Sequence, residues 1–118
     1  MLAHNTLETF FDSVNRRDLA RMGDLFTERT EFYFPKTQPL MGKDQILRFF
    51  KILFRQYPEL SFQKQNTIIE GHKAAVHWTN RGVNRKGEPY ENEGVTVFEG
   101  DGDQIVFMSD FFKNTEKF

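Results

Sequence analysis

The chain has 118 residues, with 16 Lys or Arg against 17 Asp or Glu and a formal net charge of −1 at pH 7. This length predicts a single domain over residues 1–118, and the balanced charge provides no basic surface for nucleic acid. The absence of Cys excludes thiol catalysis, disulfides and thiolate metal sites. No apolar run approaches the ~20 residues that span a bilayer, and no signal peptide begins the chain. We therefore expect a cytoplasmic protein that does not engage a membrane.

The first half of the sequence carries three helical patterns. In residues 5–17, apolar side chains recur at the i, i+3, i+4, i+7 spacing of an amphipathic helix. Asp18 is placed to cap a second, shorter helix, and an apolar stripe between residues 46 and 54 predicts a third that ends before Pro58. Between the second and third helices, residues 30–34 read as a short strand and residues 35–42 as a loop.

The second half reads as four strands over residues 60–70, 73–83, 88–98 and 104–112. Short turn sequences separate them, so neighbouring strands run antiparallel and form a four-stranded meander. Helices followed by a meander predict an α+β protein, with three N-terminal helices packed on one face of a curved antiparallel sheet.

Asp110 is the unusual residue of the last strand, because it is an acid among aromatic and β-branched neighbours. An ionised carboxylate buried without partners costs several kcal/mol or more, on the order given by transfer data. Residues 84–87 and 99–103 are interpreted as the hairpin loops, which fixes the pairing of the strands. Two rows then cross the face that meets the helices: Thr79–Asn92–Asp110 and His77–Gly94–Met108. Polar side chains among aromatic walls favour a cavity on this face.

The opposite face of the predicted sheet is apolar and has no helix to cover it. An exposed patch of this breadth is typical of an interface, so we expect a homodimer that packs through the sheet by an isologous contact. The predicted patch consists of Val76, Trp78, Val95, Val97, Ile105, Phe107 and Phe111.

Four segments, residues 10–19, 39–46, 94–99 and 103–112, carry a resemblance to a known superfamily. In their order and spacing they are similar to nuclear transport factor 2, ketosteroid isomerase, scytalone dehydratase, limonene epoxide hydrolase and the SnoaL-like polyketide cyclases. The resemblance implies a cone-shaped fold over nearly the whole chain. It also places Asp110 where the cyclases and the epoxide hydrolase have a pocket aspartate. Their other catalytic positions differ, since Phe34, Phe10 and Gly94 stand where the isomerase has its acid–base residues.

Two residues are the catalytic candidates. Asp110 is expected to act as a general acid or base, or else to be a structural carboxylate satisfied by Asn92, Tyr90 or Arg81. His77 is either a proton shuttle or a neutral histidine that is hydrogen-bonded in the sheet. About 10 Å separates their backbones, so contact through a water molecule or ligand is expected rather than a direct dyad. The substrate-binding candidates are Asn92, Thr79, Arg81, Phe10, Val14, Tyr33, Phe50, Phe54, Met108 and Phe112.

These features predict cofactor-free acid–base chemistry on a small apolar molecule, of the isomerase, cyclase, dehydratase or hydrolase type. The acidic and histidine residues are too few and too dispersed to predict a metal site, and no cofactor motif is present. The alternative is a non-catalytic module of the same fold that binds a ligand or another protein.

Overall fold

Three helices and six strands make up the computed structural model, which describes residues 1–117. The helices are α1 (His4–Arg16), α2 (Leu19–Gly23) and α3 (Lys43–Gln56). The strands are β1 (Phe26–Tyr33), β2 (Leu40–Met41), β3 (Ser61–Glu70), β4 (Lys73–Val83), β5 (Pro89–Asp101) and β6 (Gln104–Phe112). A 3₁₀ turn, Thr115–Lys117, follows β6. The α+β class is confirmed, and no helix within residues 1–117 is long and apolar enough to cross a membrane.

Local sequence explains where the helices begin and end. The apolar stripe of α1 is buried against the sheet, and α1 ends where Arg17 takes the left-handed conformation at φ 55°. As predicted, the Asp18 side chain caps α2 by accepting a hydrogen bond from the Arg21 backbone N–H at 3.0 Å. Gly42, at φ 88°, precedes α3 in a conformation that glycine adopts without strain.

The six strands form one sheet in the order β2-β1-β6-β5-β4-β3. Strands β3 to β6 are the predicted antiparallel meander. The expectation of a wholly antiparallel sheet is wrong for one pair, because β1 runs parallel to β6. Short turns predict pairing only between strands that follow each other in sequence. They gave no information about β1 and β6, which lie far apart in the chain.

The pairing of β4 with β5 corrects the predicted side-chain directions. Val83 lies opposite Pro89, so the connection contains five residues and not four. The Asn84 side chain stabilises this longer turn by accepting hydrogen bonds from the backbone N–H groups of Lys86 and Glu88, at 2.9 and 3.0 Å. A shift of one residue moves every side chain of a strand to the other face.

The consequence for β4 is a complete exchange of faces. Val76 and Trp78 are fully buried on the inner face, the one that meets the helices. His77 and Thr79 lie on the outer face, opposite Val95 and Glu93.

The pairing of β5 with β6 also differs from the prediction, but by an even number of residues. Phe98 lies opposite Met108 and not opposite Gln104. A change of four residues leaves each side chain on its predicted face, so Asp110 faces inward, and Phe111 outward. Asp110 pairs with Thr96 and not with Asn92. A bulge after Glu99 turns Ile105 inward, where it is fully buried.

Gly94 serves the core of the protein. It lies opposite Trp78 and Phe112. A Cβ at this position would lie 2.8 Å from the Trp78 ring and 2.5 Å from the Phe111 carbonyl oxygen. The missing side chain therefore makes room for the indole ring, and not for a cavity as the sequence suggested.

The register can be tested by cysteine pairs, since the chain has no Cys of its own. Val97 and Ser109 are directly opposite on the outer face, so the double variant Val97→Cys/Ser109→Cys should form an intramolecular disulfide under mild oxidation. Val97→Cys/Phe107→Cys is the matched control, because its positions are offset by two residues, about 7 Å along the strand. Mass spectrometry with and without reductant reads the outcome. Preferential oxidation of the control pair would contradict this register.

Candidate functional site

The carboxyl group of Asp110 faces an enclosure of aromatic and aliphatic side chains. The residue as a whole is half-buried, and it lines a small cavity between the sheet and helices α1 and α3. None of the other residues around this cavity is titratable. They are Phe10, Phe11, Val14, Phe34, Phe49, Phe50, Leu53, Phe62 and Thr96.

A chain of two hydrogen bonds holds the Asp110 carboxylate. The Trp78 indole Nε1–H donates to Thr96 Oγ1 at 2.8 Å, and Thr96 Oγ1 donates to Asp110 Oδ1 at 2.6 Å. An indole nitrogen is a donor only. The Thr96 oxygen must therefore accept from Trp78, which leaves the hydroxyl hydrogen for Asp110.

Burial raises the pKa of Asp110 to about 7, against an ordinary value of 3.8. The cause is the loss of water around the charged form, which the apolar enclosure does not replace. The hydrogen bond from Thr96 favours the charged form and partly opposes this rise in pKa. Asp110 is thus a carboxyl group that changes protonation near neutral pH.

Two neighbouring cavities lie on the inner side of the sheet. The one beside Asp110 has a volume of about 20 Å³. The second, which we call the apolar cavity, has a volume of about 290 Å³. Phe34, Phe49, Leu53 and Phe62 line both, so these four side chains form the wall between them. The other residues of the apolar cavity are Pro35, Lys36, Thr37, Ile52, Gln56, Tyr57, Leu60, Asn80, Tyr90 and Phe112.

Asn80 contributes a polar group to the apolar cavity. Asn80 is 5% exposed, and its Oδ1 atom is buried without a hydrogen-bond partner within residues 1–117. Asn92 lies directly opposite on β5, and both polar groups of its side chain, by contrast, form hydrogen bonds. The Asn92 amide donates to the Asn114 carbonyl at 2.8 Å, and its Oδ1 accepts from the Glu93 N–H at 2.9 Å.

Of the predicted binding residues, four lie where the sequence suggested. Phe10, Val14 and Phe50 surround the cavity beside Asp110, and Phe112 lines the apolar cavity. Met108 faces inward as predicted but is fully buried in the core.

The remaining candidates do not line either cavity. Asn92 does not pair with Asp110, for the register reason given above. Phe54 packs beneath the Arg17 guanidinium, 5.6 Å from the ring centroid. Tyr33 lies on the outer face, where its hydroxyl donates to Glu31 and its ring contacts Phe107.

His77, Thr79 and Arg81 occupy the outer side of β4, so their predicted place on the same face as Asp110 is wrong. His77 Nε2 donates a hydrogen bond to Glu93 at 2.5 Å, and His77 Nδ1 lies 3.2 Å from the Asn66 amide nitrogen. This hydrogen bond, with a second from Lys113, lowers the pKa of Glu93. Thr79 Oγ1 accepts a hydrogen bond from the Gln65 side chain at 3.1 Å, and Arg81 is exposed.

Sequence reasoning missed Thr96 and Asn80. Both belong to alternating patterns that were visible: Thr96 follows Gly94 and precedes Phe98, and Asn80 follows Val76 and Trp78 at spacing two. The signal that would have located Asn80 is Asn84, whose side chain favours the longer turn and hence the opposite face for β4.

Comparison with known proteins agrees with this fold. The model of the SnoaL-like domain family matches residues 7–108. The chain therefore belongs to the SnoaL-like domain family. A search of curated proteins gives no match.

Solved structures support the same fold. An NTF2-like protein from Anabaena variabilis is 20% identical, with a TM-score of 0.84 over 97% of this chain and 88% of that one. A candidate SnoaL-like polyketide cyclase from Jannaschia is 22% identical, with a TM-score of 0.82 over 92% and 83%. A Catenulispora acidiphila protein with a ketosteroid isomerase-like fold, in complex with trimethylamine, is 11% identical, with a TM-score of 0.88 over 98% and 90%. Identities this low establish the fold alone.

The raised pKa of Asp110 makes a prediction about stability. The folded protein binds the Asp110 proton more tightly than the unfolded chain, so this group stabilises the fold below pH 3.8 and that contribution is lost as the pH rises through about 7. Asp110→Asn keeps an acceptor for Thr96 without a charge. We expect it to raise the free energy of unfolding by roughly 1–3 kcal/mol at pH 8, and by progressively less towards pH 4.

The measurement is urea unfolding at several pH values, with Asp103→Asn as the control for an exposed carboxylate. A variant at position 110 that unfolds more easily than the wild type at pH 8 would indicate an ion-paired, structural carboxylate.

Proposed function

We propose that this protein is a cofactor-free acid–base enzyme acting on a small apolar molecule, with Asp110 as the group that transfers the proton. The observation that carries the proposal is the Asp110 carboxyl group itself. It is buried among phenylalanine rings, has a pKa of about 7, and adjoins an apolar cavity. A general acid or base works best when its pKa lies near the working pH.

Asp110 has both protonation states available for this role. Its charged form accepts the Thr96 hydrogen bond and removes a proton from the ligand, and its neutral form returns that proton to another atom. The surrounding rings exclude bulk water, so the proton has few competing acceptors. Such a sequence describes an isomerisation, cyclisation or dehydration without a metal or cofactor.

The volume beside Asp110 indicates how the ligand meets the carboxyl group. A space of about 20 Å³ holds about one water molecule, which requires roughly 10–15 Å³. The body of the ligand therefore belongs in the larger apolar cavity. Proton transfer then proceeds through one water, or through an edge of the ligand that enters past the wall of Phe34, Phe49, Leu53 and Phe62.

Turnover measurements test this function. Compounds that raise the melting temperature in an apolar ligand screen are incubated with the wild type and with Asp110→Asn. We expect both proteins to bind them and only the wild type to convert them, with a loss of at least 100-fold in kcat/KM. The wild-type pH profile should show one inflection near pH 7, which disappears in the variant.

His77→Gln is the control, because His77 lies on the outer face with Glu93 and should leave turnover unchanged. Conversion by Asp110→Asn at the wild-type rate would refute the assignment. Binding without conversion by the wild type would instead favour a non-catalytic ligand-binding module.

We also propose that two copies pack through the outer face of the sheet. Ile68 and Phe111 are 68% and 59% exposed there, and Val95, Val97 and Phe107 lie on the same face. The Phe10 and Phe11 rings of α1 contact Phe98 on the inner face, and the Phe50 ring of α3 stacks on Phe32 there. These two helices therefore pack on the face opposite the patch. Burying an apolar surface of this kind against itself is the usual basis of an isologous dimer.

The dimer can be tested at an exposed aromatic residue of the patch. Phe111→Glu places a charge on each side of the proposed two-fold contact, so we expect the wild type to elute as a dimer and this variant as a folded monomer. Light scattering at micromolar concentration measures the mass, and Met41→Glu, at another exposed apolar residue, is the control. A monomeric wild type would contradict the proposal.

A further inference from the structure

Asn80 is the buried polar group whose chemistry the acid–base function leaves unused. Two buried side-chain atoms within residues 1–117 have no hydrogen-bond partner, Ser13 Oγ and Asn80 Oδ1. Ser13 is not among the residues that line the apolar cavity, whereas Asn80 is. An unpaired buried amide costs roughly 1–3 kcal/mol, and native proteins rarely keep one without a reason.

The neighbouring Asn92 shows that an asparagine side chain in this part of the sheet can find hydrogen-bond partners, whereas Asn80 Oδ1 does not. Asn80 and Asn92 are opposite each other on β4 and β5. The Asn92 side chain bonds to Asn114 and to the Glu93 N–H, and so ties the segment after β6 to the sheet. Asn80 has the same side chain and lines both the apolar cavity and a polar cleft that it shares with Asn92, but its Oδ1 has no such partner.

The walls around Asn80 define the shape of what it can bind. Aromatic rings form several sides of the apolar cavity, with the Phe34 ring 4.7 Å from Phe49 and the Tyr57 ring 4.9 Å from Tyr90. Such walls favour a flat ring system, which stacks or packs edge-on against them. A volume of about 290 Å³ is at the lower end of the range for ligand sites, so the ligand is small.

We propose that Asn80 Oδ1 is the specificity group of the apolar cavity, where it accepts a hydrogen bond from a small planar ring compound that carries a hydroxyl or N–H group. This rests on the proposed function in one respect, that the apolar cavity is the ligand site. A carbonyl-type oxygen accepts hydrogen bonds and cannot donate them. It therefore selects a donor-bearing ligand over an otherwise similar one whose polar atom is only an acceptor.

The position of Asn80 also orients the ligand relative to Asp110. Asp110 pairs with Thr96, and Asn80 pairs with Asn92, four residues earlier on β5. Four residues of extended strand correspond to about 13 Å. The hydrogen bond at Asn80 thus anchors the end of the ligand that is remote from Asp110.

The test compares 2-naphthol, which has a donor, with 2-methoxynaphthalene, which has only an acceptor. Binding of each is measured by calorimetry to the wild type and to Asn80→Leu, which replaces the amide with an apolar group of similar size. We expect the wild type to bind 2-naphthol at least tenfold more tightly than the methyl ether. We expect Asn80→Leu to bind both with a ratio near one and to melt no lower than the wild type, since it removes an unpaired polar group.

Two controls separate this proposal from its alternatives. Thr79→Val changes the outer-face neighbour of Asn80 and should keep the wild-type ratio. Asp110→Asn should also keep it, because Asp110 does not line the apolar cavity. Failure of the acid–base function therefore appears as turnover by Asp110→Asn, whereas failure of this proposal appears in the ratio. A wild type that binds neither probe or does not discriminate, or an Asn80→Leu variant that keeps the preference, would overturn it.

Discussion

The balance between desolvation and one hydrogen bond at Asp110 is the interaction on which the site depends. Removing a carboxylate from water without compensation costs several kcal/mol or more. A hydrogen bond to a charged group returns roughly 1.5–3 kcal/mol. Thr96 alone therefore does not hold Asp110 ionised, and the pKa rises to about 7. A second donor would lower the pKa of Asp110, and loss of the Thr96 hydrogen bond would raise it further.

That single hydrogen bond is itself positioned by the core. Gly94 leaves space for the Trp78 ring, whose Nε1–H reaches Thr96 Oγ1 and fixes the direction of the hydroxyl hydrogen. Trp78 is fully buried, so water does not compete for this hydrogen bond. Gly94 and Trp78, which line neither cavity, thus influence the protonation of Asp110 through Thr96. The packing of the sheet and the chemistry of the site share the same side chains.

The sequence predicted the fold class, the meander and the inward direction of Asp110, because each follows from local patterns. Helical spacing and turn residues locate the elements without reference to distant contacts. The faces of β5, and of β6 beyond its bulge, were also predicted, since an error of four residues preserves them. Ile105 is the exception, because the bulge turns it inward from its predicted outer position.

The faces of β4 were not predicted, because Asn84–Glu88 closes as a five-residue turn and a single residue reverses the strand. That one residue moved His77 away from Asp110 and brought Asn80 and Trp78 inward. The parallel contact of β1 with β6 had no local signal at all.

The inner face of the meander shows how a shared fold carries different chemistry. The fold determines which positions of the strands face inward, while it leaves open which polar residues occupy them. In this chain Asn92 is saturated by the segment after β6, Asp110 is bonded by one hydroxyl group, and Asn80 Oδ1 has no partner. The three polar side chains therefore differ in how many of their hydrogen-bonding groups have a partner. A saturated amide maintains the structure, whereas a partly satisfied acid and an unpaired amide facing a cavity retain the capacity to bind something else.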